Sequence, residues 1–428
     1  APEDHATAVE RVRSASAGAR RPVAVLMDLA GPKIRLGELP GGQRTLVTSE
    51  PFVLSAASGS RDDGAGAGVD HPTLADELEP GDRILLADGA AELRVADVDA
   101  RAGEVRTAVV RGGTIRSHAG VSVPAERLHG PGLTERDRVD LVRAVELGVD
   151  LIGQSFVRRA ADVEELRSLL PADGPSIVAK VETRPAVEAF DEICAVADAV
   201  MIARGDLGVE LPYELVPILQ KRLVRRALDR GLPTIVATQM LESMIVSPRP
   251  TRAEASDVAN AVFDGADAIM LSGETAIGEH PVLAAEAAAR IALLCEREGP
   301  EHFAPGAPAR GDTDAGALAH AAATIAAGGE VAAIACYTRT GRTARVIAAL
   351  RPPVPILAFS PDPAVVRRLT LVHGVHPRSC VPPSDVEQRL DLMAWLIGED
   401  HALQPGASVV LVASTATPGT GPNLLELH

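Results

Sequence analysis

Lysine is almost absent from this sequence of 428 residues, in which only Lys33, Lys180 and Lys221 stand beside 39 arginines. Aromatic residues are equally scarce, with one Trp, two Tyr and six Phe. The four cysteines show no CxxC spacing, which excludes a disulfide framework and a recognisable cysteine zinc site and fits a reducing cytoplasm. No apolar run approaches the length of a membrane span.

Acidic residues outnumber basic ones, which gives the chain a net charge of −16. This excess argues against general binding of nucleic acid or of an anionic membrane, although a local basic cleft for phosphates stays open. The histidines show no HxxxH or HExxH spacing, so we expect no histidine metal site.

Six short apolar runs end in polar residues and lead into helical periodicity, a pattern typical of a parallel sheet covered by helices. The runs are 22–31, 150–156, 176–182, 199–208, 233–239 and 268–274. The segments predicted as helices are 134–148, 159–170, 185–197, 213–231 and 251–265. This alternation predicts an α/β fold, either a β/α barrel or a doubly wound sheet. Barrel enzymes place their chemistry at the carboxyl ends of the strands.

The remaining segments divide the chain into domains. Residues 37–125 alternate apolar and polar positions between Gly and Asp turns, which predicts a small β-rich domain inserted into a barrel domain of 1–36 and 126–297. A Pro/Gly/Ala-rich linker is predicted over 298–315. A further α/β unit follows over 316–428.

Three charged residues at neighbouring strand ends could form a catalytic centre. Lys180 and Glu182 lie two apart on one strand and so point to the same side of the sheet, while Asp206 follows the next strand. Two carboxylates suit Mg²⁺, and an ammonium beside the ion would complete a site for a phosphoryl group or an enolate. The alternative is a Lys180–Glu182 pair that merely fills a barrel layer. Gly205, at a predicted helical turn, and Thr238 favour the site, because they add free N–H groups and a hydroxyl.

Several motifs of the chain closely resemble the pyruvate kinase family. They are LTERDRVDLVRAVELGVDLIGQSFVRRAADVEELR, IVAKVE, AVMIARGDLGVELP, ATQMLESMIVSPRPTRAEASDVANAV, DGADAIMLSGETAIGEHP, TRTGRTARVIAALRP and NLLELH. The resemblance is most specific over 133–285 and weakest over 37–125. It implies a TIM-type β/α barrel with an inserted β-barrel lid and a C-terminal three-layer α/β domain. It also implies phosphoryl transfer from phosphoenolpyruvate to ADP, giving pyruvate and ATP in glycolysis.

The resemblance also implies roles for individual residues. Lys180 would stabilise the transferring phosphoryl group, and Glu182 with Asp206 would hold Mg²⁺ or Mn²⁺. The N–H groups of Gly205 and Asp206 would receive the substrate carboxylate, and Thr238 would contact the substrate. The other implied positions are Ser155 and Phe156 beside the substrate, Arg35 at the nucleotide phosphates, Asp28 in the monovalent-cation region, and Ser272 and Glu274 on the path that protonates the enolate.

The C-terminal domain carries a further motif of the family. Its loop of Thr338, Thr340, Gly341, Arg342 and Thr343 is similar to one that binds the phosphate of sugar-phosphate effectors in regulated members. The alternative is a plain strand–turn–helix with solvated arginines. The resemblance further implies a homotetramer in the cytoplasm when the protein is full length.

The chain departs from the family pattern at its start. Two barrel strands, one of which carries a substrate-binding Arg, have no counterpart before the helix-like segment that opens the chain. We therefore expect a six-stranded remnant of a longer gene product, and no kinase activity from the 428 residues alone.

Two cation positions depart as well. Leu29 stands where the family has a potassium-ligating threonine. Lys33 is a second departure, and its ammonium can supply the positive charge that K⁺ would bring. We therefore expect an enzyme that does not depend on K⁺. Ala119 stands where the lid carries a nucleotide-contacting lysine; Arg116 and His118 are candidate substitutes, although neither is in register with it.

The absent lid lysine leaves other functions open. One is a pyruvate-kinase-like protein with impaired or altered nucleotide use. A second is a barrel lyase or aldolase acting on pyruvate enolate, because two carboxylates, Mg²⁺ and a nearby cation also suit that chemistry. A third is a non-catalytic binding or regulatory relative.

Overall fold

A computed structural model describes residues 2–56, 65–298, 314–329, 331–382, 392–393, 397–398, 403, 406–413 and 424–427. Within these ranges, no helix combines the length and the apolar character needed to cross a membrane.

The elements are numbered in chain order. The strands are β1 (Leu26–Leu29), β2 (Ile34–Arg35), β3 (Gln43–Leu46), β4 (Pro51–Ser55), β5 (Gly66–Gly68), β6 (Arg83–Leu86), β7 (Ala91–Asp99), β8 (Glu104–Arg111), β9 (Gly113–Arg116), β10 (Gly120–Ser122), β11 (Leu151–Gln154), β12 (Ser176–Val181), β13 (Ala199–Ala203), β14 (Thr234–Ala237), β15 (Ala268–Met270), β16 (Ala333–Tyr337), β17 (Ile356–Ser360), β18 (Val375–Ser379), β19 (Val409–Ala413) and β20 (Leu424–Leu427). The helices are α1 (Pro2–Ala19), α2 (Leu74–Glu77), α3 (Glu135–Glu146), α4 (Ala160–Leu169), α5 (Arg184–Glu188), α6 (Phe190–Val196), α7 (Arg204–Glu210), α8 (Val216–Leu228), α9 (Arg252–Phe263), α10 (Gly273–Ala276), α11 (Pro281–Glu298), α12 (Asp314–Ala327), α13 (Arg342–Ala348) and α14 (Pro363–Arg368).

The first sheet contains the six strands predicted from the apolar runs. They are all parallel, in the order β1-β11-β12-β13-β14-β15, so sequence order is also spatial order. The residues of the four central strands, β11 to β14, are largely buried because helices cover the sheet, as expected for parallel strands. The edge strands β1 and β15 are mostly half-buried. In the described part of the chain, β1 and β15 are edge strands and the sheet is a curled half-barrel.

Local signals set where the helices of this unit begin and end. Thr134 and Asp137 form a capping box at the start of α3, and the buried Asp137 also accepts the N–H of Gly31. This contact ties the loop after β1 to a helix start. The prediction of one continuous helix over 185–197 is wrong. The helix is interrupted at Ala189, which separates α5 from α6, and the interruption places Phe190 in the core.

The inserted segment forms a largely antiparallel sheet with its own core, in the order β2-β10-β6-β7-β8-β4-β5, beside a pair of β3 and β9. The core contains Phe52, Leu54, Ile84 and Leu93, all fully buried. The β-rich prediction is confirmed, and β2 begins just before the predicted boundary.

The last sheet has the order β18-β17-β16-β19-β20, in which only β20 is antiparallel. This unit contacts the barrel at the amino ends of its strands, opposite the ends that carry the predicted chemistry. Arg367 Nε lies 2.7 Å from Asp150 Oδ1, just before β11, and Arg351 Nη1 lies 3.0 Å from Asp267 Oδ1, just before β15. Buried aspartates at the base of the barrel therefore hold arginines of the C-terminal unit.

Candidate active site

The ammonium of Lys180 lies at the centre of the candidate site. Its Nζ atom is 3.0 Å from Glu182 Oε1 and 3.4 Å from Asp28 Oδ2, and it donates a hydrogen bond of 2.8 Å to Ser155 Oγ. The prediction that Lys180 and Glu182 share one side of the sheet is confirmed. The pair does more than fill a layer, because Lys180 also joins residues from two other strand ends.

The charges around Lys180 keep it protonated. Burial disfavours the ammonium, but Glu182 and then Asp28 outweigh that effect, so the pKa of Lys180 is raised above its usual range. A permanent ammonium suits a group that stabilises negative charge and excludes a role as a general base near neutral pH.

Glu182 is a deeply buried acid of the site, with a side chain only 2% exposed. Its Oε2 atom accepts the backbone N–H of Phe156 at 2.7 Å. Burial raises the pKa of the Glu182 carboxyl, and Asp206 opposes ionisation further, against the effect of Lys180. Two carboxylates this close disfavour each other unless a cation lies between them.

Asp28 reaches Lys180 because its neighbour on the next strand is a glycine. The strand register pairs Asp28 with Gly153, and a Cβ atom on Gly153 would lie 2.0 Å from Asp28 Oδ1. Any larger residue at 153 would displace the carboxylate. The glycine of DLIGQSF thus has a specific role in shaping the site.

Thr238 and Gly205 meet at the next two strand ends. The Gly205 N–H donates to Thr238 Oγ1 at 2.7 Å, and that hydroxyl donates to the Ala237 carbonyl at 2.7 Å. Thr238 has a φ of 70°, which is strained for a β-branched residue and recurs at functional sites. Thr238 therefore lies at the same rim as Gly205, as predicted, but the Gly205 N–H is not free, because it donates to the Thr238 hydroxyl.

Ser272 and Glu274 lie beneath the loop that follows β14. Both carboxylate oxygens of the buried Glu274 accept backbone N–H groups, from Leu241 at 2.9 Å and from Ser272 at 2.7 Å. In this arrangement Glu274 positions the loop that continues from Thr238.

A cleft that is partly open to solvent lies between these strand ends and the inserted domain. It is lined by Pro32, Lys33, Ile34, Val121, Ser122, Val123, Ala125, Leu128, Phe156, Arg158, Glu182, Thr183, Asp206, Val209 and Glu210. The carboxylate of Asp206 has no hydrogen-bond or ion-pair partner among the described residues and faces the cleft that Glu182 also lines. Glu210 lines it too, and burial, followed by repulsion from Glu126, raises the pKa of Glu210 to about 7.

Glu182 and Asp206 fit a divalent cation that takes its other ligands from a substrate. No group of three or more His, Cys, Asp or Glu residues in the described ranges could hold a metal by itself. Mg²⁺ commonly binds one or two carboxylates and completes its shell with water and substrate oxygens. An unpartnered carboxylate beside a buried one matches that donor set.

A second cleft opens on the inserted domain and adjoins the first. Lys33 lines both, and Arg35 and Arg116 line the second with Asp88 as the acidic residue of that cleft. The Nζ atom of Lys33 lies 3.9 Å from Asp88 Oδ1, so the ammonium points toward the inserted domain. A local basic cleft, which the net charge of the chain left open, is therefore present among the described residues.

Comparison with known proteins agrees with this geometry. Residues 1–285 match the family model of the pyruvate kinase barrel domain, and residues 316–428 match that of the pyruvate kinase alpha/beta domain. The chain belongs to the pyruvate kinase family. The resemblance inferred from the motifs is confirmed.

Curated pyruvate kinases are similar to this family member over nearly its whole length. The chain is 40% identical to pyruvate kinase of Geobacillus stearothermophilus, with 100% of this chain and 73% of the relative covered. It is 41% identical to pyruvate kinase 2 of a Synechocystis strain, with 96% and 70% covered. A crystal structure of a pyruvate kinase from Cryptosporidium parvum superposes with a TM-score of 0.90 at 30% identity, covering 100% of this chain and 88% of that one.

The loop with the family's possible effector motif lies between β16 and α13. Thr338 is buried, Thr340 and Arg342 are exposed, and Gly341 has a φ of 80° that suits a glycine at the start of a helix. Burial lowers the pKa of Arg345, one turn later, against the opposing effect of Asp198. Phosphate binding by Thr338, Thr340, Gly341, Arg342 and Thr343 stays a prediction.

Two residues that shape this pyruvate-kinase-type site escaped the sequence analysis. The side chain of Arg204 joins helix α9 to the loop after β14. Its Nη1 atom binds Asp257 Oδ1 at 2.7 Å, and its Nη2 atom donates to the Thr238 carbonyl at 2.7 Å. Gly153 makes room for Asp28. The Arg before Gly205 was a visible signal, but no spacing rule links it to Asp257.

Proposed function

We propose that this protein transfers a phosphoryl group from phosphoenolpyruvate to ADP, giving pyruvate and ATP in glycolysis. Family membership and relatives named pyruvate kinase, 36–41% identical, support the activity. The observation that carries it in this chain is the Lys180 ammonium, which contacts Glu182, Asp28 and Ser155 beside the unpartnered Asp206 carboxylate.

In this proposal the ammonium of Lys180 stabilises the negative charge of the phosphoryl group in transit. Such a fixed charge contributes most where water is excluded, and the side chain of Lys180 is only 13% exposed. Its contacts with Glu182 and Asp28 hold it in place before the substrate arrives. Positioning of this kind accounts for most catalysis of phosphoryl transfer.

Glu182 and Asp206 are the proposed ligands of Mg²⁺ or Mn²⁺, which supplies positive charge to substrate oxygens when it is bound. The N–H groups of Gly205 and Asp206 receive the substrate carboxylate, and Thr238 contacts the substrate. Because the Gly205 N–H donates to Thr238 Oγ1 here, a bound carboxylate would compete for that hydrogen bond. Ser155 lies beside Lys180 and Phe156 lines the cleft, as expected for substrate neighbours.

The remaining roles rest on the resemblance. We propose Arg35 at the nucleotide phosphates, a role that its place in the basic second cleft supports. Ser272 and Glu274 remain candidates for the path that protonates the enolate. A homotetramer and action in the cytoplasm stay predictions.

We also propose that the enzyme does not need K⁺, which the family generally uses. The isobutyl side chain of Leu29 contains no oxygen atom that could bind a cation, and it is buried in the barrel core. Lys33 instead supplies a permanent positive charge at the cleft. Activity measured in tetramethylammonium buffer should change little on addition of KCl, and a large activation by KCl would contradict this proposal.

The main proposal is tested by a coupled assay of pyruvate formation from phosphoenolpyruvate and ADP, with the protein expressed from its complete gene. Lys180→Ala should lower kcat by several orders of magnitude while the circular dichroism spectrum stays unchanged. Lys221→Ala is a matched control, because Lys221 is 54% exposed and pairs with Asp264 on the helical shell. Unchanged turnover of Lys180→Ala would refute the role of Lys180.

A further inference from the structure

The second cleft is a basic surface within an acidic protein. Its lining residues are Lys33, Arg35, Ala87, Asp88, Thr114, Arg116, Ser117, His118, Ala119 and Gly120. Three permanent cations and one acid give it a net positive charge, whereas the chain as a whole carries −16. A cleft with charge opposite to its surroundings attracts and concentrates anions.

Arg116 is the cation of this cleft that is most available to a ligand. Its side chain is exposed at the end of β9, and its guanidinium has no hydrogen-bond or ion-pair partner among the described residues. By contrast, Arg83 and Arg106 on the same domain, and Arg127 just after it, each bind an acidic side chain. An unpaired guanidinium presents a planar fork of donors suited to two phosphate oxygens.

Arg116 also lies next to the position of the missing lysine. The N–H of Ala119 donates to the carbonyl of Arg116 at 3.1 Å, so these two residues are the ends of one tight turn. His118, inside the turn, has the positive φ of 63° that closes it. Three residues apart in sequence, positions 116 and 119 are neighbours across the turn, and the long arginine side chain can serve the space that a lysine at 119 would serve.

The two clefts share Lys33, so a polyanion in the second cleft would meet this ammonium at the border with the first. The first cleft contains Glu182 and Asp206. An anion held by Arg116 and Arg35 therefore has a path for its terminal phosphate past Lys33 toward the proposed metal site.

We propose that Arg116 binds a phosphate of the nucleoside diphosphate acceptor and replaces the lysine that Ala119 lacks. This inference rests on the proposed function and names the residue that determines acceptor binding. Nucleotide use is then retained through a relocated cation. The absence of a lysine at 119 accordingly does not impair ADP binding.

The direct test is calorimetric titration of the complete protein with ADP in the presence of Mg²⁺, which measures binding without turnover. Arg116→Ala should weaken ADP binding about 10- to 100-fold, the loss expected for one charged hydrogen bond. Arg101→Ala is the matched control, because Arg101 is exposed in the turn between β7 and β8 and lies outside the cleft. Adding Ala119→Lys to Arg116→Ala should restore much of the affinity.

Kinetics separate this inference from the proposed function. Arg116→Ala should raise the KM for ADP and leave the KM for phosphoenolpyruvate unchanged. If the wild type converts phosphoenolpyruvate but Arg116→Ala binds ADP as tightly as the wild type, the role of Arg116 is overturned. The proposed function then stands. A wild-type protein that binds ADP but never consumes phosphoenolpyruvate would refute the proposed function and leave the binding role intact.

Discussion

The contact between the C-terminal unit and the barrel depends on one buried carboxylate. The side chain of Asp150 is 1% exposed and accepts three hydrogen bonds: from Arg367 Nε at 2.7 Å, from Arg13 Nη2 at 2.7 Å and from the Val25 N–H at 2.8 Å. Asp150 thus joins helix α14, helix α1 and the entrance to strand β1. We predict that Arg13→Ala and Arg367→Ala destabilise the barrel more together than the sum of their separate effects.

The magnitudes follow from the number of donors that remain. Each single substitution removes one charged hydrogen bond to Asp150, worth about 2 kcal/mol, while Asp150 keeps the other guanidinium and the Val25 N–H. Arg13→Ala also removes the hydrogen bonds that Arg13 donates to the Val23 and Gly148 carbonyls. The double variant leaves the buried carboxylate with one backbone donor, and a buried charge that loses its partners costs about 3–5 kcal/mol. The two single losses sum to about 4 kcal/mol, and the double variant should reach the upper end of that range, about 5 kcal/mol, which is about 1 kcal/mol more than the sum.

Native-state hydrogen exchange of the Val25 amide and of the β1 amides measures this opening free energy locally, which suits a chain of several domains. Arg290→Ala is the control, because its ion pair with Glu286 is exposed on one helix face, and we expect a change below about 0.5 kcal/mol. If each arginine substitution alone costs less than about 0.5 kcal/mol and the two losses simply add, then Asp150 does not depend on these arginines.

Three further predictions concern single residues. Gly153→Ala should displace the Asp28 carboxylate and lower kcat with little change in the unfolding midpoint, and unchanged kcat would contradict the packing argument. Burial raises the pKa of Glu210 from 4.5 to about 7. The protonated Glu210 therefore contributes stability at low pH, and this contribution, up to about 3 kcal/mol, is lost as the pH rises to about 7. Denaturation without metal should show this slope in the wild type and lose it in Glu210→Gln; equal slopes would refute the shift. Burial raises the pKa of the Cys194 thiol to about 12, so native protein should resist alkylation at pH 8 at that cysteine, and rapid labelling would contradict it.

Much of the barrel was predictable because each buried strand has a recognisable local sequence pattern. A buried parallel strand is apolar along its whole length, and all six such runs form strands of one parallel sheet. The pairing of Lys180 with Glu182 was predictable for the same reason, since the two-residue repeat of a strand decides which side chains share a face.

The rest of the site depends on contacts between segments far apart in sequence. Asp28 reaches Lys180 only because Gly153 is its partner in the register between β1 and β11. Arg116 was out of register with the family lysine, and only the turn that brings it beside Ala119 reveals the proximity. No local pattern encodes such contacts, because packing and register determine them.

The scarcity of lysine proved informative at two of three positions. Lys180 lies at the centre of the candidate site, and Lys33 lines both clefts, whereas Lys221 pairs with Asp264 on the helical shell. A compact ammonium differs from a guanidinium in size and hydration, so the two retained site lysines mark places where arginine is a poor substitute.

The central claim is that the phosphoryl group of phosphoenolpyruvate is transferred to ADP at the site around Lys180. Phosphorus NMR of the complete protein with phosphoenolpyruvate, ADP and Mg²⁺ tests it most directly. We predict that ATP appears in equal amount to the phosphoenolpyruvate consumed, and that Lys180→Ala abolishes both changes. Consumption of phosphoenolpyruvate with release of inorganic phosphate and no ATP would contradict the account.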